Sequence, residues 1–566
     1  MLLNGIAVSK GIAVGPVFQF RPPSSSVAFE TTDTPKVELD RFRSALEIAR
    51  RQLNEIRQKT ENELGKEHAG IFQAHLLMLE DPEIIKSVEK SILEENLKAE
   101  PAQARSFEKY AKSLEAMADE YFQARAADVR DVSNRLLNIL TGRHEDHLGE
   151  LKVPSILVAE DLTPSDTMTL DKNLVLGFAT ALGGPTSHTA ILARSIGLPA
   201  VVGIGKNVLD IPEGATIVLD GGQGSLIINP DAETIQKYET FKQQVKEAFN
   251  QARSRAGEPA TTSDGHTVEV VANIGSLKEA RLARELGAEG IGLFRTEFLF
   301  LSRDSMPSES EQVDTYREIF KVFRHKPIVV RTLDIGGDKD AKYLGIANEA
   351  NPFLGWRAIR MAGDRPDILL TQFKALLKAG DGMDLRIMIP LVSNLDEVDR
   401  AASIFNEALQ SLKMERGNFQ LGIMIEVPSA ALLADKFAKK VDFFSIGTND
   451  LAQYTLAVDR TNERVADLGS PFHPAVLKLI AQTIQAAHEK GIWVGLCGEM
   501  AGNPLAAPLL LGLALDEFSM APMAIPELKE TIRKLSYKEC KILALEALEL
   551  ATTQQVLEFL QERIKL

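Results

Sequence analysis

The sequence predicts a multidomain α/β protein: an α/β domain carrying an inserted helical bundle, then a linker helix, then a (β/α)8 TIM barrel. Three observations predict it. The chain has 566 residues, too many for one hydrophobic core, so about two to four domains are expected. Its texture changes twice, from short β-branched runs with glycine to a long stretch rich in Glu, Lys, Gln and Ala, and back. Beyond residue 260, eight strand-like runs alternate with helical ones, over about 300 residues, the length a TIM barrel with insertions needs.

Taken in order, MLLNGIAVSKGIAVGPVFQF at residues 1–20 reads as strands punctuated by glycine. Residues 36–143 place apolar side chains at helical spacing, as in Leu39, Phe42, Leu46 and Leu53. VPSILVAEDL, NLVLGFATAL, ATIVLDGG and GSLIINP then resume the strand texture. The expected division is an α/β domain over 1–20 and 144–230, interrupted by a helical insertion at 21–143. Residues 231–259 form the expected linker, a polar helix with a thin apolar stripe of Tyr238, Phe241, Val245 and Phe249, roughly 35 to 40 Å long at 1.5 Å per residue. The barrel is expected over 260–566. Its strand-like runs are VEVVANI, GIGLFRTE, PIVVRTLD, LRIMIPLV, LGIMIEVP, FFSIGTND, WVGLCGE and EFSMAP, with helical stretches such as SLKEARLARELGA between them.

Composition narrows the function classes. The apolar fraction is 45% and the charged fraction 25%, ordinary for a soluble globular protein. A formal net charge of −15 argues against nucleic acid as a partner. The two cysteines, Cys497 and Cys540, are too few and too scattered for a disulfide framework or a zinc site, which favours a reducing cytoplasmic setting. The apolar run AAPLLLGLALD near residue 510 is broken by Pro508 and Gly512 and is about half a bilayer span. Residues 1–17 lack a basic flank and are interrupted by Gly5, Gly11 and Gly15. Neither export nor membrane insertion is expected.

Chemistry on a TIM barrel sits at the C-terminal ends of its strands. The residues there are Asn273, Arg295 with Glu297, Arg331 with Asp334, Glu426, Asn449 with Asp450, and Cys497 with Glu499. A purely structural barrel would tend to end its strands in glycine, proline and small turn residues. Arg295 and Arg331, on adjacent strands, suit bidentate clamping of a carboxylate and a phosphate, with Arg460 as a third cation. Glu426 and Asp450 are hard oxygen donors suited to a Mg²⁺ that takes further ligands from a phosphate-bearing substrate. Cys497 is expected to serve as an acid near neutral pH, from an unperturbed thiol value of ~8.5. The set describes a site for a small anion carrying both carboxylate and phosphate.

In the N-terminal half, GGPTSHTAILARSIGLPAVVG at 183–203 places His188 at the start of a short predicted helix, after two glycines and beside the candidate caps Thr186 and Ser187. Free backbone N–H groups and the positive end of the dipole favour an anion there, by roughly 0.3 to 1 kcal/mol. An imidazolium is disfavoured in that position and a phosphorylated imidazole is favoured.

GGPTSHTAILARSIGLPAVVG resembles the phosphohistidine signature of phosphoenolpyruvate-utilising enzymes. SIGTNDLAQYTLAVDR, IMIEVPSA, RTLDIGGDK, NPFLGWRAIR and LCGEMAG are similar to the barrel motifs of the enzyme I family of the bacterial sugar phosphotransferase system. GIFQAHLLMLEDPEI and EYFQARAADVRDVSNRLL resemble that family's phosphocarrier-binding insertion, so the likeness spans essentially the whole chain. It implies a swivelling phosphohistidine domain, and phosphoryl transfer from phosphoenolpyruvate to His188 and on to a histidine of the phosphocarrier protein HPr. It implies further that Arg295, Arg331, Asn449, Asp450 and Arg460 hold phosphoenolpyruvate, and that Glu426 and Asp450 hold Mg²⁺. Cys497 would protonate the pyruvate enolate, Thr167 would hydrogen-bond the His188 ring, and the chain would form a homodimer through the barrel. Pro185 stands where the family often has arginine, and DLGSPFHP departs from the family's usual aromatic and glutamine before the proline.

Two other readings use the same residues. A pyruvate or water dikinase would need a nucleotide-binding domain, for which the chain has no spare length and no GxxxxGK[ST] loop. A regulatory phosphoprotein without turnover would not be expected to retain so many reactive strand ends. Delivery from barrel to carrier also implies motion of the first domain about residues 229–233 and 255–260.

Overall fold

The computed structural model describes residues 1–9, 11–20, 29–64, 66–116, 120–142, 151–163, 166, 170–171, 173–184, 189–190, 193, 197–301, 303, 305–336, 342–345, 349–460, 462 and 465–563. The chain divides into two compact units, Met1–Val245 and Lys246–Leu566.

The first unit is built on an eight-stranded mixed sheet. Its strands are β1 (Leu2–Asn4), β2 (Ile6–Ser9), β3 (Ile12–Phe20), β4 (Ser155–Ala159), β5 (Val175–Thr180), β6 (Ala200–Val202), β7 (Thr216–Asp220) and β8 (Ser225–Ile228). Their spatial order is β1-β8-β7-β3-β4-β5-β6-β2. β3 pairs antiparallel with β7 and parallel with β4, so the N-terminal strands and those after residue 154 share one sheet. Side chains alternate between two buried faces: Ile156 and Val158 pack with Val201 and Leu219, while Leu157 and Ala159 pack with Phe178 and Val202. That two-sided burial explains why the runs read as continuously apolar.

Between β3 and β4 lie the helices Pro35–Leu64, Lys66–Leu79, Pro82–Glu94, Ala99–Glu115 and Glu120–Thr141. They bury their own core, including Phe42, Leu53, Phe72, Ile92, Phe107 and Leu136. Asp81 starts the third helix by accepting from the N–H groups of Glu83 and Ile84, with Pro82 at the first position where a missing donor costs nothing. A further helix runs Ala232–Ser254, within the linker span.

In the second unit β9 (Ala260–Thr261) precedes eight parallel strands: β10 (Thr267–Ile274), β11 (Ile291–Arg295), β12 (Ile328–Arg331), β13 (Leu385–Ile389), β14 (Gln420–Ile425), β15 (Phe443–Ile446), β16 (Trp493–Leu496) and β17 (Glu517–Met520). Pairing of β10 with both β17 and β11 closes the barrel. All eight lie where the sequence placed them, because each is a short buried β-branched or aromatic run between helices.

At the N-terminal end the barrel is floored by charge. Arg386 of β13 lies 4.6 Å from the ring centroid of Trp493, which stacks on Phe443 at 4.5 Å. Its guanidinium bonds Asp384 and stands 3.9 Å from the carboxylates of both Glu517 and Glu269. Glu517 is 1% exposed, neither of its oxygens accepts a hydrogen bond, and burial pushes its carboxyl up to about 8.

The start of this unit is fastened by the helix Ile525–Lys534. Lys529, wholly buried, donates to the carbonyls of Ala256 (3.0 Å), Glu258 (3.2 Å) and Gly287 (2.8 Å) and pairs with Glu289 at 3.1 Å. Arg533 donates to the carbonyls of Arg255, Glu258 and Pro259. Of the swing point read from the sequence at 255–260, residues 255, 256, 258 and 259 are therefore clamped to the barrel by two side chains.

Candidate functional site

β11 and β12 end in register, with Arg295 paired to Arg331, so both arginines stand at the C-terminal mouth. Arg295 is exposed and Arg331 is buried. Arg331 donates to Glu297 at 2.7 Å and pairs with Asp334 at 3.1 Å. Asp334, with no exposed surface, also accepts a bidentate pair from Arg357, at 2.7 Å from Nε and 2.9 Å from Nη2. Arg357 is 2% exposed and continues the array, reaching Tyr454 Oη at 3.3 Å and Asp450 Oδ2 at 3.5 Å. Arg460 closes it, 3.4 Å from Asp450 Oδ1.

Local backbone geometry aims these groups. Gly336 has φ +112°, and a side chain there would meet Trp356 O at 2.8 Å and Arg357 Cβ at 2.9 Å, so only glycine lets the chain at this position run beside Arg357. Leu391, after β13, is left-handed with φ 58°, a conformation that is strained for a branched side chain. Its N–H donates to Glu426 Oε1 at 2.6 Å. Asp450 lies in the first turn of the helix Thr448–Leu456, where free N–H groups favour anions.

Glu426 and Asp450 bring two carboxylates together beside Asp334. Burial first, then the charges of Asp450 and Asp334, push the Glu426 carboxyl up to about 8. Asp450 Oδ1 is buried and accepts no hydrogen bond. Its nearest cation is Arg460 at 3.4 Å, outside hydrogen-bond geometry, so this oxygen keeps a lone pair open beside a carboxyl that resists ionisation. Among the described residues no three His, Cys, Asp or Glu side chains are arranged to hold a metal. The two carboxylates thus fit a hard divalent cation that takes its remaining ligands from water and substrate.

Cys497 follows β16 and is 4% exposed. Three contacts fix it: its N–H donates to Ile446 O at 3.0 Å, its thiol faces the same oxygen at 3.7 Å, and its carbonyl accepts from Asn273 Nδ2 at 2.9 Å. Ser519 in turn donates to Asn273 Oδ1 at 2.6 Å. The sequence expectation of an acid near neutral pH is corrected here, because burial pushes the thiol up to about 11. It stays protonated across the physiological range, as a weaker acid. Asn449 accepts from the N–H of Glu499 at 3.1 Å, joining the β15 and β16 loops.

The structure thus gathers Arg331, Glu426, Asp450 and Arg460 into one array, with Arg295, Asn449 and Cys497 on the same barrel mouth. His188, Thr167 and Pro185 lie outside the described residues. Sequence reading assigned no role to Arg357 or Tyr454. Arg357 stands in the quoted NPFLGWRAIR, but no strand ends there, so inspection of strand ends passes it by.

Such a barrel mouth, lined by arginines around paired carboxylates, defines a class of enzyme that handles small phosphorylated carboxylates. Family profiles match in three stretches: PEP-utilising enzyme, N-terminal, at residues 4–125; PEP-utilising enzyme, mobile domain, at 151–224; and PEP-utilising enzyme, PEP-binding domain, at 250–537. A phosphoenolpyruvate-protein phosphotransferase of Priestia megaterium is 43% identical over 99% of this chain and 98% of its own. One of Bacillus subtilis (strain 168) is 42% identical over 100% of both chains. An NMR solution structure of an enzyme I protein is 41% identical, covering 43% of this chain and 99% of its own with a TM-score of 0.38. The chain belongs to the phosphoenolpyruvate-protein phosphotransferase family. Among the described residues no helix is long and apolar enough to cross a membrane.

Proposed function

We propose that this chain transfers the phosphoryl group of phosphoenolpyruvate to its own His188 and then to a histidine of the phosphocarrier protein HPr, the first step of phosphotransferase-system sugar uptake. Family membership and one observation carry the reading: arginines on two adjacent strand ends share the barrel mouth with the carboxylates of Glu426 and Asp450, and Arg357 and Arg460 flank Asp450. Arg295, Arg331 and Arg460, with Asn449 and Asp450 at a helix start, hold the carboxylate and phosphate of the substrate. Glu426 and Asp450 would hold Mg²⁺, which when bound supplies charge neutralisation for the phosphate and the developing enolate. His188 attacks phosphorus; the N–P bond forms as the enol C–O–P linkage breaks at phosphorus, and the electron pair passes to the enolate oxygen. The Cys497 thiol then gives its proton to C3, completing pyruvate, and regains one from solvent. Thr167 orients the His188 ring.

The same reading assigns domains: a phosphohistidine α/β domain over 1–20 and 144–230, a carrier-binding insertion at 21–143, a linker at 231–259, and a barrel at 260–566 that also forms the homodimer. The setting is the cytoplasm. The test is incubation of the full chain with radiolabelled phosphoenolpyruvate and a panel of carriers. Label is expected on the wild-type chain and on HPr, and on neither with His188→Ala. Undiminished labelling of that variant would sink the assignment.

A further inference from the structure

One buried polar side chain behind the arginines has no part in the reaction as described. Gln372, on the helix Pro366–Ala379, has no exposed surface. It touches β11 and β12 just past the residues that carry Arg295 and Arg331. β12 makes its last sheet contact through Thr332 N–H to Met388 O, and the next donor, Leu333 N–H, goes to Gln372 Oε1 at 2.9 Å. Gln372 Nε2 donates to Thr296 Oγ1 at 3.0 Å and to Tyr316 Oη at 3.1 Å. Thr296 Oγ1 donates to Arg331 O at 3.0 Å. Tyr316 Oη donates to Gln312 Oε1 at 3.2 Å, and Gln312 Nε2 to Pro307 O at 3.1 Å.

This chain of bonds has one consistent proton arrangement. Leu333 N–H can only donate, so the atom facing it is the Gln372 oxygen. The carbonyls of Arg331 and Pro307 can only accept, so both hydroxyl protons point away from Gln372 and both hydroxyl oxygens accept from its amide. A primary amide alone offers one acceptor and two donors in that pattern. A carboxylate offers none of the donors, and a protonated carboxyl offers one.

The consequence reaches the site through one turn. Residues 332–334 carry Asp334, whose carboxylate holds both Arg331 and Arg357. A cavity of about 20 Å³ bordered by Thr332, Leu333, Ala358 and Gln372 leaves this turn room to shift once released. We propose that Gln372 is a positioning residue for phosphoenolpyruvate binding, pinning the turn that sets the Arg331–Asp334–Arg357 array through its bonds to Leu333 and Thr296. This rests on the reading of Arg331 as a substrate ligand.

The test uses the full chain and the concentration of labelled phosphoenolpyruvate that half-saturates single-turnover labelling of His188, measured relative to wild type from about pH 6 to 9. Tyr316, pushed above its ordinary range by burial, stays protonated there. Gln372→Glu with its new carboxyl protonated keeps the acceptor for Leu333 and one donor for Thr296, losing only the bond to Tyr316, and should bind within about threefold of wild type. It should weaken by about tenfold as that group ionises at higher pH, the loss a buried unmatched acceptor entails, with the saturating rate within about threefold of wild type. Gln372→Leu should weaken by a similar factor at every pH. Thr296→Val should follow it, and Thr296→Ser should restore wild-type behaviour. If Gln372→Leu does not fold, the pH profile of Gln372→Glu decides alone. A Gln372→Glu ratio constant within about twofold over that range overturns the proposal. If instead Arg331→Lys leaves half-saturation unmoved, the substrate reading of Arg331 has failed, and the proposal with it.

Discussion

Raising the pH should loosen the barrel through Glu517, and Glu517→Gln should remove that weakness. The carboxyl ordinarily releases its proton near 4.5, as it does in the unfolded chain, but in the folded barrel it holds it up to about 8. Between those values the folded state binds more protons than the unfolded one, so stability is fullest below 4.5 and falls as pH rises. Linkage puts the cost of the native glutamate at roughly 1.5 kcal/mol at about pH 5.5 and roughly 4.5 kcal/mol at about pH 8.5. The glutamine variant has its own costs, an unbonded amide and a lost charge opposite Arg386, but these are much the same at both pH values. Its stability relative to wild type should therefore improve by about 3 kcal/mol from the lower pH to the higher. Both tryptophans, Trp356 and Trp493, lie in the barrel unit, so urea unfolding followed by intrinsic fluorescence reads this unit. A variant-to-wild-type difference constant within about 0.5 kcal/mol over that range would refute the argument, and would mean that Arg386 keeps Glu517 ionised at its ordinary acidity.

Arg357→Lys should keep a positive charge yet lose the bidentate hold on Asp334, lowering phosphoenolpyruvate-driven labelling of His188 by about 10²; labelling at the wild-type rate would show the array to be mere packing. Cys497→Ala should slow pyruvate formation by ~10² to 10⁴ while His188 is still labelled, measured as separate steps with protonation followed in heavy water. Wild-type turnover with the same stereochemistry at C3 would assign the acid elsewhere. Because the thiol is pushed up to about 11, no loss of activity from its ionisation is expected below about pH 9 in a wild-type pH–rate profile.

What was legible in the sequence was whatever a strand announces. Arg295, Arg331, Glu426 and Cys497 each follow a short apolar run, and in a barrel that placement alone predicts the mouth. Arg357 follows no strand; it is brought in by the left-handed Gly336 and by a pairing with Asp334 across 23 residues, a contact that only folding creates. Gln372 reads in the sequence as an ordinary helix residue, since its role depends on which backbone groups the neighbouring strands leave unpaired. The acidity of Cys497 is hidden from the sequence for a related reason: a reference value belongs to a thiol in water, and the degree of burial is a property of the closed barrel.

The Lys529 clamp bears on where this chain can be divided. A fragment beginning at residue 260 would leave behind the carbonyls of Ala256 and Glu258, two of the three that solvate the buried ammonium. It would also strip Arg533 of all three of its backbone acceptors. Of these partners Lys529 would keep only Gly287 and Glu289, a poorly matched charge at a site built to be buried. Residues 256–258, just past the helix that ends at Ser254, are thus part of the lysine's solvent. A barrel prepared as an independent piece has to carry them, and one trimmed to its first strand would be born with a flaw that no substitution at the mouth explains.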